Sequence, residues 1–130
     1  MILIQNSLKK NVESWKNNWD LNFGGDLAQQ KFVSPSKYIF LLNYARIYND
    51  SEVLDHVRKT LDVISSSGLN DFIEGGFYRY TVDNEWKIPH FEKMLYDQAQ
   101  MISLYSLAYK VFKDEYYKDI AIETIDFLNS

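Results

Sequence analysis

Between residues 79 and 97 the chain gathers side chains suited to proton transfer and polar recognition: Arg79, Asp83, His90, Glu92 and Asp97. His90 is the natural general acid or base near neutral pH; the plainer role is a hydrogen-bonded residue that closes a loop. Glu92, read as lying at a helix start, suits the positive end of a helix dipole. Asp97 falls two turns after His90, on the face shared by Met94 and Met101. An acid on an apolar face is costly unless paired, so Asp97 is either a catalytic carboxylate or the partner of Lys93 or Arg79. Arg79 and Asp83 either hold substrate hydroxyls or pair with each other. Phe77, Tyr80 and Trp86 either stack on a flat ligand such as a sugar or plug the loop that carries them. His90-x-Glu92 also resembles a zinc-deaminase pattern, but that chemistry needs cysteine ligands, and the chain has no cysteine.

Those residues sit in "GGFYRYTVDNEWKIPHFEKMLYDQAQ", residues 75–100, a stretch too polar and aromatic for an ordinary helix start. The glycines cluster at Gly24-Gly25 and Gly75-Gly76, and the only prolines are Pro35 and Pro89. Each glycine pair is thus followed by a proline and then by a long periodic stretch. Proline is favoured in the first helical turn because its missing N–H costs nothing there. Tyr38, Leu41, Leu42, Ala45 and Tyr48 recur at helical spacing after Pro35, and Asp50-Ser51 supply a turn and an N-cap. Val53, Leu54, Val57, Leu61 and Ile64 then form one apolar face, with His56 assigned to the surface of the outer arm. The stretch after Pro89 is apolar over most of its circumference, and "EYYKDIAIETIDFLN" forms the last helix. The two hairpins repeat each other: Asp50 aligns with Asp114, Asp55 with Asp119, Thr60 with Thr124 and Asp62 with Asp126. A repeated helix hairpin indicates a repeat or toroid architecture. The second glycine loop is longer than the first, the extra residues falling in "YRYTVDNEWKIP". Long loops in compact helical domains are often functional.

The totals bound the partners. The chain has 130 residues, 46% of them apolar and 16% aromatic, enough for one small core. With 14 basic and 18 acidic residues and no basic stripe, it lacks the electrostatic footprint of a nucleic-acid binder. The absence of cysteine removes disulfides and thiol chemistry and fits a cytoplasmic protein. The opening "MILIQNSLKKNVESW" is not patterned as a signal peptide, and no segment approaches a membrane span. No metal or cofactor is expected.

The quoted stretch resembles the signature of the YyaL-type proteins, the family of spermatogenesis-associated thioredoxin-like proteins. The match is dense over residues 73–100, through GGF, RY, VD, W and PHFEKMLYD, with Tyr78 in place of a histidine and Gln98 in place of an asparagine. The first loop keeps Gly24, Gly25, Lys31 and Phe32, while Gln30 and Val33 replace two prolines. The resemblance covers roughly residues 15–130. It implies an N-terminal thioredoxin-like domain followed by an (α/α)6 toroid similar to six-hairpin glycosidases and N-acylglucosamine 2-epimerases. Only the first third or so of the toroid is matched, so the chain reads as an excised piece or a truncated frame.

The fold expected is therefore all-α, with helical hairpins forming part of an (α/α)6 toroid: a helix at 2–17, a hairpin at 34–66, a glycine loop at 71–89 and a hairpin at 89–129. In such toroids the loops entering inner helices line one mouth of the ring. The resemblance implies sugar epimerisation or glycoside hydrolysis as the parent chemistry, and the residue types of the second loop give His90, Glu92 and Asp97 as candidate catalytic groups and Arg79, Tyr80, Asp83 and Trp86 as candidate substrate-binding ones. Epimerases of that fold use two histidines and glycosidases two carboxylates, so a full catalytic set needs further hairpins and the chain alone is expected to be inactive. The residues do not decide whether it is an enzyme; the alternative is a helical scaffold accompanying a thioredoxin-like domain. Unclosed flanks predict a homo-oligomer.

Overall fold

The computed structural model describes residues 2–130. Its elements run α1 (Ile2–Lys16), β1 (Lys31–Phe32), α2 (Pro35–Tyr48), α3 (Ser51–Ser65), β2 (Tyr80–Thr81), α4 (Leu95–Phe112) and α5 (Glu115–Leu128). Helices α2 to α5 form the two hairpins, α2–α3 and α4–α5. They stand side by side, with α2 packed on α4 and each helix on its own hairpin partner.

The repeat seen in the sequence is physical. Asp50 caps α3 by accepting the Val53 N–H, and Asp114 caps α5 by accepting the Tyr116 N–H. Thr60 and Thr124 each turn a hydroxyl back onto the carbonyl four residues earlier, at 2.8 Å in both helices. Between the hairpins, the core is stitched by tyrosines whose rings bury apolar area while the hydroxyls find partners. Tyr105 Oη donates to the Leu61 carbonyl at 2.8 Å, and Tyr117 Oη donates to Asp62 Oδ1 at 2.6 Å. The aligned Asp62 thus serves the seam between repeats.

Two expectations fail for identifiable reasons. The second inner helix does not begin at Pro89. Residues 89–94 run back along the loop instead: Thr81 bridges to Pro89, His90 N–H donates to the Tyr80 carbonyl and Arg79 N–H donates to the Glu92 carbonyl, both at 2.9 Å. These long-range bonds claim the backbone that the local proline signal would have made helical, and α4 starts at Leu95. Neither His90 nor Glu92 therefore lies in a helix, and the shared helix face with Asp97 does not exist.

His56 is not on the surface. It is 5% exposed, because Trp19 from the first glycine loop stacks on its ring with centroids 4.0 Å apart. On α3 it follows Val53 by three residues and precedes Thr60 by four, which places it in the buried stripe. Burial above all, helped by Lys37, Lys59 and Lys31 and opposed by Asp26, lowers its pKa from 6.5 to about 4. The unfolded chain then binds a proton that the native chain refuses. Stability is full above 6.5 and is lost as pH falls toward about 4, a loss on the order of 3 kcal/mol across that window. Urea unfolding at stepped pH should show this slope, and His56→Leu should flatten it.

Candidate functional site

Both glycine loops are built on the same box. In the first, Asp20 Oδ1 accepts the N–H groups of Asn22 and Phe23, and Asp20 Oδ2 receives the Lys31 ammonium at 2.7 Å. The same ammonium donates to the Gly24 carbonyl at 2.7 Å. In the second, Asp71 Oδ1 accepts from Ile73 and Glu74, while Lys93 donates to Asp71 Oδ2 at 2.6 Å and to the Gly75 carbonyl at 2.9 Å. Gly24, Gly25, Gly75 and Gly76 all take positive φ, between 70° and 91°, which closes these turns without a Cβ penalty. The Lys93 hydrogen bond, with further bonds from the loop backbone, holds the Asp71 carboxyl down at about 2. Lys93 is thus spent on the loop and does not pair with Asp97.

The loops are then locked together. β1 and β2 pair antiparallel, Lys31 opposite Thr81 and Phe32 opposite Tyr80. Trp86 is fully buried, and its Nε1 donates across to the Phe23 carbonyl at 2.9 Å. Gln98 anchors the second loop from α4, accepting the Phe77 N–H at 2.8 Å and donating to the Phe77 carbonyl at 2.6 Å. Asp83 folds its own loop: its carboxylate accepts from Glu85, Lys87 and Ile88. Burial opposes its ionisation, but those backbone donors outweigh burial and lower its pKa.

This architecture separates the candidate residues. Trp86 is a plug, and Asp83 pairs with backbone rather than with Arg79. Tyr80 is sandwiched, stacked on Phe32 at 4.6 Å and on His90 at 4.9 Å. Neither Trp86 nor Tyr80 offers a ring face to a ligand. Arg79, Glu92, His90 and Asp97 do come together. Arg79 Nη1 lies 3.8 Å from Glu92 Oε2, and His90 Nδ1 lies 4.0 Å from the same oxygen. Arg79 and Asp97 line one cleft of about 200 Å³ with Phe32, Tyr78, Gln100 and Met101. Asp97 Oδ2 is buried without a hydrogen-bond partner. Burial raises its pKa; Arg79 pulls against this and Glu92 adds to it. The cleft therefore presents an acid of raised pKa, a half-exposed guanidinium, an amide and an exposed phenyl ring. Gln100, and Phe32, which the sequence offered only as a matched position of the first loop, were not among the candidate site residues.

No family model matches the chain. Over 107 residues, 79% of its length, it is 39% identical to human spermatogenesis-associated protein 20. The chain belongs to this protein's family. It spans 14% of the length of the human relative. Among solved structures it resembles the cellobiose 2-epimerase of Spirochaeta thermophila, with a TM-score of 0.78 at 17% identity, over 91% of this chain and 32% of that one. It likewise resembles a family 76 glycoside hydrolase from a bovine Bacteroides thetaiotaomicron strain, with a TM-score of 0.71 at 17% identity, over 92% of this chain and 29% of that one. The fold of this family segment is thus all-α, part of an α/α toroid, as the hairpin repeat implied. No described helix is long and apolar enough to cross a membrane.

Proposed function

We propose that the chain forms part of the carbohydrate-binding mouth of an α/α toroid, and that sugar epimerisation or glycoside hydrolysis is the chemistry of the whole ring. The observation that carries this reading is Asp97, which lines the same cleft as Arg79 and keeps one carboxylate oxygen, Oδ2, buried without a partner. A buried polar atom without a partner costs free energy, so this carboxylate is held at the cleft at a cost to stability. A sugar hydroxyl donates to the Asp97 carboxylate, while Arg79 and Gln100 address neighbouring oxygens and Phe32 covers a C–H face. His90 and Glu92 do not line the cleft; beside Arg79 they are further candidate proton-transfer groups. Trp86, Asp83 and Tyr80 support the site without touching the ligand. At about 200 Å³ the cleft is smaller than the roughly 300–1,000 Å³ of complete ligand sites. That fits an incomplete site, inactive alone.

Two outcomes follow from Asp97. A carboxyl whose pKa is raised on folding destabilises the native state where it is ionised. Asp97→Asn should therefore raise stability at pH 7, and the gain should vanish as pH falls below the ordinary carboxylate range, 3.8. Unfolding curves at both pH values check the sign. Titrating the labelled chain with glucose, mannose and cellobiose tests the function. Shifts are expected at residues lining the cleft and should be lost in Arg79→Ala and Asp97→Asn; shifts that survive both substitutions would refute the proposal.

The exposed flanks support self-association as part of the same reading. Phe91 is 81% exposed, Leu95 72% and Tyr96 66%, and apolar patches of this kind mark association surfaces. Light scattering at micromolar concentration should report a dimer; a clean monomer would remove that part. The alternative, a helical scaffold accompanying a thioredoxin-like domain, is favoured by the amount of side-chain chemistry that the loops spend on one another.

A further inference from the structure

The two glycine boxes are alike in their hydrogen bonds and differ in what fills them. In the first, the filler comes from the neighbouring loop. Trp86 presses on Gly25 so closely that a Cβ there would lie 2.7 Å from the indole Cζ2. The Lys31 ammonium sits 5.3 Å from the Trp86 ring centre, and the indole N–H satisfies the Phe23 carbonyl. The first box is therefore a socket, and the second loop supplies its plug.

Among the described residues no neighbouring loop reaches the second box. Phe127 of α5 stands where Trp86 stands in the first: a Cβ on Gly76 would lie 2.7 Å from Phe127 Cδ2, and Lys93 lies 4.6 Å from the Phe127 ring centre. Phe127 has no N–H to offer. The Glu74 carbonyl, which corresponds to that of Phe23, accepts no hydrogen bond among the described residues. Beside it lies an open cleft of about 420 Å³ lined by Phe72, Ile73, Glu74, Glu123, Asp126 and Phe127, among others. Its apolar flank is left in solvent, with Phe72 70% and Ile73 95% exposed. The acidic rim of Glu74, Glu123 and Asp126 complements a cation beyond Lys93, which lies 3.9 Å from Glu74; in the first box the plugging tryptophan is followed directly by Lys87, exposed there and paired with Glu85 of its own loop at 3.2 Å.

We propose that the box at residues 71–76 is a docking socket for a tryptophan–lysine loop, built like residues 77–90 and supplied by a further repeat unit of the longer family members. The indole takes the cleft beside Phe127 and donates to the Glu74 carbonyl, and the lysine meets the acidic rim. The proposal does not depend on the mouth binding a sugar.

A synthetic peptide of residues 77–90 is the probe, added to the labelled full chain. Saturable amide shifts are expected at Glu74, Gly75, Gly76 and Phe127. A peptide carrying Trp86→Ala should bind at least tenfold more weakly. Glu123→Lys combined with Asp126→Lys, both exposed positions, should leave the fold intact and weaken the unaltered peptide by a similar factor. No binding at millimolar peptide, shifts confined to the first box, or equal binding of the Trp86→Ala peptide would each overturn the proposal.

Discussion

Replacing Trp86 by alanine is expected to cost about 3–5 kcal/mol, the usual range for deleting a buried tryptophan. Three losses combine. The ring is fully buried, so its removal opens a cavity between the loops. The Phe23 carbonyl loses the donor that it meets at 2.9 Å. Lys31 loses the aromatic face above which it is held. Trp86 also takes a positive φ of 63°, so it is retained against a local preference by what it packs on. Small domains have roughly 5–15 kcal/mol in total, and the variant should sit near the edge of folding. Trp86→Phe should recover most of the packing and leave the carbonyl unmet, a penalty of about 1–3 kcal/mol. Urea unfolding of the two variants gives the ordering; an alanine variant within 1 kcal/mol of the parent, by the scale of ordinary surface changes, would contradict the plug.

Lys31→Ala should be comparably damaging. Lys31 and Asp20 are 1% and 6% exposed at their side chains, and removing one partner of a buried pair costs about 3–5 kcal/mol. Asp20 keeps two backbone donors, so Asp20→Asn in the same chain should restore much of the loss by removing the stranded charge. The matching change in the second box, Lys93→Ala, should cost less. There the partners are 13% and 11% exposed, and water can replace part of the interaction. A double-mutant cycle on each box measures the difference; equal costs would mean that burial does not set the strength of these clamps.

What the sequence made legible was what is local and periodic. α1 runs Ile2–Lys16 where a helix at 2–17 was expected, and one of the three aligned aspartate pairs, Asp50 and Asp114, caps the outer helices. Trp86 was readable as a plug and Arg79 as the neighbour of an acid, because buried aromatics and loop charges need partners. The start of α4 was not legible, since the hydrogen bonds that hold residues 90–92 outside a helix come from Arg79 and Tyr80. Nor was the burial of His56, which depends on Trp19 arriving from a different loop. The clamps were within reach: Asp20 and Asp71 precede their glycine pairs at the same spacing. Aligning the glycines alone passed over them, and the lysines that complete each box lie at different distances along the chain. Pairing between loops leaves no period in the sequence, so the strand contact of Phe32 with Tyr80 and the cleft behind it emerge only in three dimensions.

The central claim is that Asp97 and Arg79 face a sugar in the mouth of a complete ring. A crystal of a full-length family member containing this segment, soaked with cellobiose, tests it most directly. Sugar hydroxyls within hydrogen-bonding distance of the Asp97 carboxylate and the Arg79 guanidinium, with a ring against Phe32, are the predicted result. A cleft filled by side chains from the protein's other hairpins, with Asp97 satisfied by one of them, would contradict the account and leave the chain as a scaffold.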